Sequence, residues 1–409
     1  MQRLPPTRAN PPLQRRPSRP GRGLDGRTHA PGLIDGWPPL HLAVVAAALV
    51  CGPVVGANAW AARPSGRSLS GSALADGNAV AEVPAETAAP PADGGSPMLH
   101  GHGRPIEGVD VHLRVWLKDQ AKAEAAVAAA LKEVRRISRK MSTERRRSEI
   151  DGVNRLADRE EVILSRETYD LVQRALHLCE LTGGAFDLTV QSFDYLWNFK
   201  RRPPVRPLDD EIKARLAVVG CNNVLLKPNR AIRVHAPRVR ITLADLLHGH
   251  AMVTVSRLLL ERGIDSFRLR IGQDVYVRGR TGTRHWYVAV PHPLKRDREI
   301  VQLYLTSHVA ATRSVTDRYF MKDGKRYHDV LNPRTGRPVE GVLQATVIGT
   351  DTVLADALST AMLVLGPKAG IALLNKTDNI DGFIIDTKGR VYGSSGMSDF
   401  ARLPKSIDL

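Results

Sequence analysis

Asp356 and Thr360 lie four residues apart in a stretch where Leu354, Leu358, Met362 and Leu365 recur at helical spacing. On a helix, that spacing stacks the carboxylate and the hydroxyl on one face. Two hard oxygens one turn apart suit a small cation such as Mg²⁺. Taken alone, the pair also reads as a local hydrogen bond. A second block, Tyr327-His328-Asp329-Val330-Leu331-Asn332-Pro333-Arg334-Thr335-Gly336, reads as a strand end and a tight turn. Asn332 suits the first turn position, Pro333 fixes φ at the corner, and Gly336 frees the exit. A third, residues 241–251, runs from a strand into a helix, the kind of junction at which backbone N–H groups meet phosphate.

These blocks need a scaffold, and hydrophobic periodicity supplies one. Residues 109–117 alternate as a strand, and 119–140 form a long Ala-rich helix. A second amphipathic helix over 166–182 stops at Gly183-Gly184. A short helix is expected at 209–218, and a hairpin from 224–226 and 232–234 around Pro228-Asn229-Arg230. The helix entered near residue 244 continues to about Arg262. Residues 267–271 and 275–277 pair across Gly272-Gln273-Asp274, and strands at 286–290, 301–305 and 308–311 continue an antiparallel sheet. A helix at 368–374 and a last hairpin, 382–386 with 391–393, close the chain. Strands and helices alternate without a repeating βαβ unit, so the expected class is α+β, with mainly antiparallel sheets and packed helices.

The chain has 409 residues and a formal net charge of +17, from 59 Lys and Arg against 42 Asp and Glu. Much of that excess lies in residues 1–39, rich in Arg and Pro and poor in large apolar side chains, a composition that cannot bury enough surface to fold. Residues 40–62 then turn apolar, broken by Gly52-Pro53 and followed by Ala57-Asn58-Ala59, the pattern of a signal peptide or membrane anchor. Residues 63–97 read as a flexible Ala/Pro/Gly linker, leaving 98–409 as the folded domain. The expectation is an exported chain, periplasmic or anchored facing outward. Its arginines are not interleaved with aromatics, so no nucleic acid partner is expected. Cys179 and Cys221 fall in apolar contexts and are expected as buried thiols rather than a disulfide, although export permits one.

Across roughly residues 109–400 the blocks, in order, resemble the ApbE family of FAD:protein FMN transferases. Ser142-Thr143 with Ser148-Glu149 is similar to its S-T-Y-x-x-x-S-E loop, and Gly183-Gly184-Ala185-Phe186-Asp187 with Leu196-Trp197 to G-G-A-F-D…L-W. Residues 242–251 are similar to D-L-G-G-x-A-K-G-Y-A, and Ile271-Gly272-Gln273-Asp274 to I-G-G-D. Arg318-Tyr319-Phe320, the Asn332-Pro333-Arg334-Thr335-Gly336 turn and Ala355-Asp356-Ala357-Leu358-Ser359-Thr360-Ala361 match closely. The resemblance implies an ApbE-like (T-fold-like) domain that moves FMN from FAD to a Thr or Ser hydroxyl of an exported flavoprotein. It also implies a Mg²⁺ site at Asp356 and Thr360 with Asp245. Glu144, Ala185, Phe186, Asp187, Thr242, His248 and Val330 would occupy flavin- and nucleotide-binding positions. His328 would lie near the reacting phosphate and handle the acceptor's proton.

Departures accompany the resemblance. Glu144 replaces an aromatic, Thr242 an Asp, Ala244 and Asp245 two glycines, His248 a Lys or Glu, and Gln273 a Gly. Arg313-Ser314-Val315-Thr316 stands where the family has S-G-D-Y. By this reading the flavin end is altered, the metal end is intact, and Asp245 and Gln273 narrow the cleft. The alternative is a divergent relative, non-catalytic or weakly hydrolytic, that binds FAD or another nucleotide.

Overall fold

Val111, Leu113 and Val115 are fully buried and alternate with half-buried partners, so one face of their strand must be covered by apolar surface. The computed structural model, which describes residues 98–106, 108–200 and 203–409, shows what covers it. The expected N-terminal region, signal or anchor, and linker (1–39, 40–62 and 63–97) lie outside the described residues.

The elements that position the site are β1 (Met98–Ile106), β2 (Val109–Trp116), α1 (Gln120–Met141), α2 (Arg166–Leu181), α3 (Ala244–Glu261), β3 (Phe267–Ile271), β4 (Asp274–Arg278), β5 (Trp286–Pro291), β6 (Glu299–Leu305), β7 (Val309–Ser314), β8 (Val342–Gly349), α4 (Thr352–Leu374), β9 (Ile380–Asp386) and β10 (Val391–Gly393). Eight strands form one antiparallel sheet in the order β1-β2-β3-β4-β7-β8-β9-β10. Helices α1, α3 and α4 bury Val134, Ile137, Met252, Val255, Leu358 and Met362 against one face. On the other, the β5–β6 hairpin lays Trp286, Val288, Leu303 and Leu305 over Val275, Val277, Ile348 and Phe383. The class is the expected α+β.

Differences from the sequence reading have local causes. β5 and β6 cover the sheet instead of continuing it: they pair with each other as a separate two-stranded sheet, and the inner face of that hairpin, Trp286, Val288, Leu303 and Leu305, is apolar and buried. β1 carries no apolar alternation to announce it; it exists because its glycines let it lie on α1. An added Cβ at Gly101 would stand 2.0 Å from Val127 Cγ1. The helix at 352–365 and that at 368–374 are one element bent at Gly366 (φ +75°) before Pro367, the residue type that ends an i→i−4 ladder.

Cys179 and Cys221 form a disulfide, contrary to expectation, with Cα atoms 6.6 Å apart. The end of α2 and the turn at Cys221–Asn223 converge on Asp187, whose carboxylate accepts from Thr189 N (2.7 Å), Thr189 Oγ1 (2.6 Å) and the Cys221 backbone. The Asn332–Gly336 turn is seated by a separate aromatic cluster. Trp197 Nε1 donates to Gly336 O at 2.8 Å, and Gly336 (φ +66°) packs so closely that a Cβ would reach 2.6 Å from Phe193 Cε1.

Candidate functional site

Helices α3 and α4 cross where the sequence places a glycine. A Cβ at Gly249 would stand 2.3 Å from Thr352 O, so only glycine allows this approach. The contact is then fastened from both sides: Thr352 Oγ1 donates to Gly249 O (2.6 Å), and Gly249 N donates to Asp356 Oδ2 (2.9 Å). Asp356 is thereby fixed in the floor of a cavity of about 200 Å³ roofed by the first turn of α3 and the β3–β4 turn. A second lobe of about 120 Å³ shares Ala244, Asp245 and Arg313 with the first and extends to Thr242, Asp194 and Asp329.

The electrostatics of the larger lobe are unusual. Burial, and then the negative charge of Asp274, push the Asp356 carboxyl well above the carboxylate range. Burial pulls the His248 imidazole down, but the 2.7 Å hydrogen bond from its Nδ1 to Asp274 Oδ2 and that residue's charge outweigh it, leaving His248 raised. Asp274 is held by Thr312 N at 2.8 Å through its other oxygen. Burial likewise opposes the charge on Arg313, yet Asp329 and Asp245 hold it protonated. Its Nη2 lies 3.4 Å from Asp329 Oδ2 and 3.9 Å from Asp245 Oδ1. Arg313 is therefore a cation built into a ring of carboxylates, and it stands between the two lobes.

Arg313 Nε, Asp329 Oδ1 and His328 Nδ1 are buried without a hydrogen-bond partner. His328 Nε2 lies 3.0 Å from the Val339 carbonyl, which only accepts, so Nε2 carries the proton and Nδ1 presents a bare lone pair. Burial, and Arg313 nearby, drop the His328 pKa to about 4, so that lone pair is unprotonated at neutral pH.

The predicted residues divide accordingly. Asp356, Asp245 and His248 meet in the larger lobe, and Thr242 lines the smaller, its Oγ1 accepting from Ala244 N at 3.0 Å. Thr360 is half-buried and does not line either lobe; Ser359 does. Ala185 and Phe186 are core residues, and Asp187 faces a third cavity beside the disulfide, so this block lines neither lobe. Its motif encodes a helix stop and a cap. Val330 is 2% exposed and bonded in register to Val339, while its neighbours Asp329 and Leu331 line the smaller lobe. Glu144 is exposed and paired with Lys200 at 2.6 Å, reaching the smaller lobe only through its charge on Asp194. Four of the altered positions, Asp245, His248, Gln273 and Arg313, line the same lobe as Asp356. Gln273 lines the larger lobe and donates to Asp317 at 2.6 Å, where Arg296 also pairs. Asp274 was visible as the end of the Ile-Gly-Gln-Asp block; Asp110, Arg296 and Asp317 had no signal in spacing or periodicity.

The family model for the ApbE family matches residues 108–384, which spans every residue of both lobes. The chain belongs to the ApbE family. Relatives of this ApbE-family chain include the FAD:protein FMN transferase of Vibrio cholerae, 30% identical over 280 residues (64% of this chain, 81% of the relative). That of Treponema pallidum is 28% identical over 322 residues (73% and 87%). Among solved structures, the ApbE protein of Thermotoga maritima superposes with a TM-score of 0.69 at 30% identity, covering 75% of this chain and 100% of its own. The Vibrio cholerae flavin transferase ApbE gives 0.66 at 26%, covering 75% and 99%.

The donor chemistry suits a hard divalent cation. Asp356 has one oxygen held by Gly249 N, and its raised pKa reports charge that a cation would relieve. The cavity carboxylates do not close a cage by themselves. Among the described residues, three-way convergence of His, Cys, Asp or Glu ligand atoms within 4.8 Å occurs at His102, Asp110 and His112, and at Cys179, Asp187 and Cys221. A cation at Asp356 and Asp245 would complete its shell with water and substrate oxygens, as Mg²⁺ ordinarily does.

Proposed function

We propose that this chain transfers FMN from FAD to a Thr or Ser hydroxyl of an exported flavoprotein, the hydroxyl oxygen replacing AMP on the FMN phosphorus and AMP leaving with the bridging oxygen, with Mg²⁺ held by Asp356 and Asp245. The observation that carries the reading is the buried Asp356 carboxyl, fixed by Gly249 in a cavity shared with Asp245 and left with a single hydrogen bond. A bound divalent ion supplies charge neutralisation for pyrophosphate cleavage. The residues of the chain supply position. Arg313, at the junction of the lobes, offers its guanidinium to phosphate oxygens, and the start of α3 presents backbone N–H groups beside it. His328 lines neither lobe and its Nδ1 is sealed beneath Asp329, so its part is to back the Asp329–Arg313 pair from behind, and the acceptor hydroxyl meets the phosphate in the lobes themselves. The two lobes hold only part of a dinucleotide, so the rest of FAD lies along the open surface.

Purified chain, FAD, Mg²⁺ and an acceptor flavoprotein should yield an acceptor that stays fluorescent after denaturing electrophoresis. No labelled acceptor across several candidates would refute the proposal. Export to the periplasmic side is part of the same reading, supported by the apolar 40–62 segment and by a disulfide that an oxidising compartment preserves. An alkaline phosphatase fusion after residue 97 that is made but stays inactive in intact cells would refute export.

Arg313 favours one alternative, in which its guanidinium takes the place of a cation and the chain binds a nucleotide without transferring it. FAD affinity that is indifferent to Mg²⁺, with no covalent product, would select this alternative.

A further inference from the structure

The N-terminal hairpin of the sheet carries an alternation with no role in the preceding account. Its first strand reads His100-Gly101-His102-Gly103-Arg104, and its second Asp110-Val111-His112-Leu113. Antiparallel register places His102 directly opposite His112. Because side chains alternate, His100, His102, His112 and Asp110 share one face, while Gly101, Gly103, Val111 and Leu113 take the face packed on α1. The glycines thus force the imidazoles together on the open side.

The distances among them are those of a coordination shell. One ligand atom from each of His102, Asp110 and His112 lies within 4.8 Å of the other two. His100 Nε2 is 3.3 Å from His112 Nδ1, and His102 Nε2 is 3.4 Å from Asp110 Oδ1. Ligand atoms about 2.0–2.1 Å from a tetrahedral zinc ion stand about 3.3–3.4 Å apart, so the His102–Asp110 edge matches. Arg104 Nε donates to Asp110 Oδ1 at 2.7 Å, the kind of outer contact that orients a ligating carboxylate.

We infer that His102, His112 and Asp110 form a binding site for Zn²⁺ on the β1–β2 hairpin, separate from the Asp356 cation site, with the fourth position left to water. Imidazole ligands select late first-row ions over Mg²⁺, which prefers oxygen. Asp110 also lines the larger lobe, so an ion here sits at the rim of the cleft.

The test uses the full, tag-free chain, stripped with chelator and titrated calorimetrically with ZnCl₂ in the presence of Mg²⁺. One Zn²⁺ per chain is expected, with Co²⁺ giving the visible band of a tetrahedral site. His102→Ala and His112→Ala should each weaken binding by more than about 100-fold, the upper range for losing an outer partner. Asp356→Ala should leave Zn²⁺ binding unchanged. Far-UV circular dichroism confirms that the variants fold, and nitrogen NMR on the intact chain should show Zn²⁺ shifting the His102 and His112 ring nitrogens. Absence of saturable binding, or binding that survives both histidine substitutions, overturns the inference.

Discussion

Asp187 and Asp356 are buried to the same extent, 7% exposed each, and burial raises both carboxyls. Asp187 accepts three hydrogen bonds, caps a turn and stands beside a disulfide, so its charge is answered within the fold. Asp356 accepts one, and its nearest charged companions include two more carboxylates. Both came from well-matched blocks of the same family. The difference teaches that satisfaction, rather than burial or motif, separates a structural carboxylate from one kept for a ligand.

The comparison breaks most readily through activity. Asp356→Ala should lower Mg²⁺-dependent FMN transfer by at least about 1000-fold, the several kcal/mol a catalytic metal contributes. Asp187→Ala should leave the folded enzyme's turnover within a few fold. Similar losses in both, measured on fluorescent acceptor, would erase the distinction. Removing the staple next to Asp187 tests its structural side: Cys179→Ser should cost roughly 4 kcal/mol of stability, from loop-closure entropy over a separation of 42 residues, read by denaturant unfolding.

His328 offers a smaller effect with a definite sign. Its pKa falls from 6.5 to about 4 on folding, so its contribution is complete above pH 6.5 and is lost as pH drops toward 4. Between pH 7 and pH 5 that loss is about 2 kcal/mol. His328→Gln should flatten that part of the acid slope in urea melts compared at the two values; an unchanged slope would place the histidine in a more hydrated setting. Smallest is Asp356→Asn. It keeps an oxygen for Gly249 N and removes a costly buried charge, so the cation-free fold should gain about 1 kcal/mol while transfer is lost. A lower melting temperature for the variant would contradict the raised Asp356 pKa.

Much of the scaffold was legible because periodicity reports burial. The alternation of Val111, Leu113 and Val115, and the helical spacing of Leu354, Leu358 and Met362, each named the face that became core. β1 was not legible, since a His-Gly alternation has no apolar face to detect. For the site, the resemblance found Asp356, Asp245 and His248, but could not say which motif residues point at a cavity and which at the core. Ala185, Phe186 and Val330 went to the core because local turns and strand register turned them there. Nor could spacing reveal that Arg313, one of the departures, would stand between Asp329 and Asp245, the second of which lies far back in the chain on α3. The disulfide escaped for the same reason: two cysteines in apolar contexts become neighbours only once Asp187 draws their segments together.

The crossing at Gly249 makes one backbone amide a gauge of the site's electrical state. Its N–H points at Asp356 Oδ2 from inside the contact between α3 and α4, shielded from solvent. Protonating that carboxyl, or placing a divalent ion on its other oxygen, weakens or reorients the acceptor seen by this amide. The Gly249 resonance and its rate of hydrogen exchange should therefore follow pH and cation occupancy even when no flavin is present.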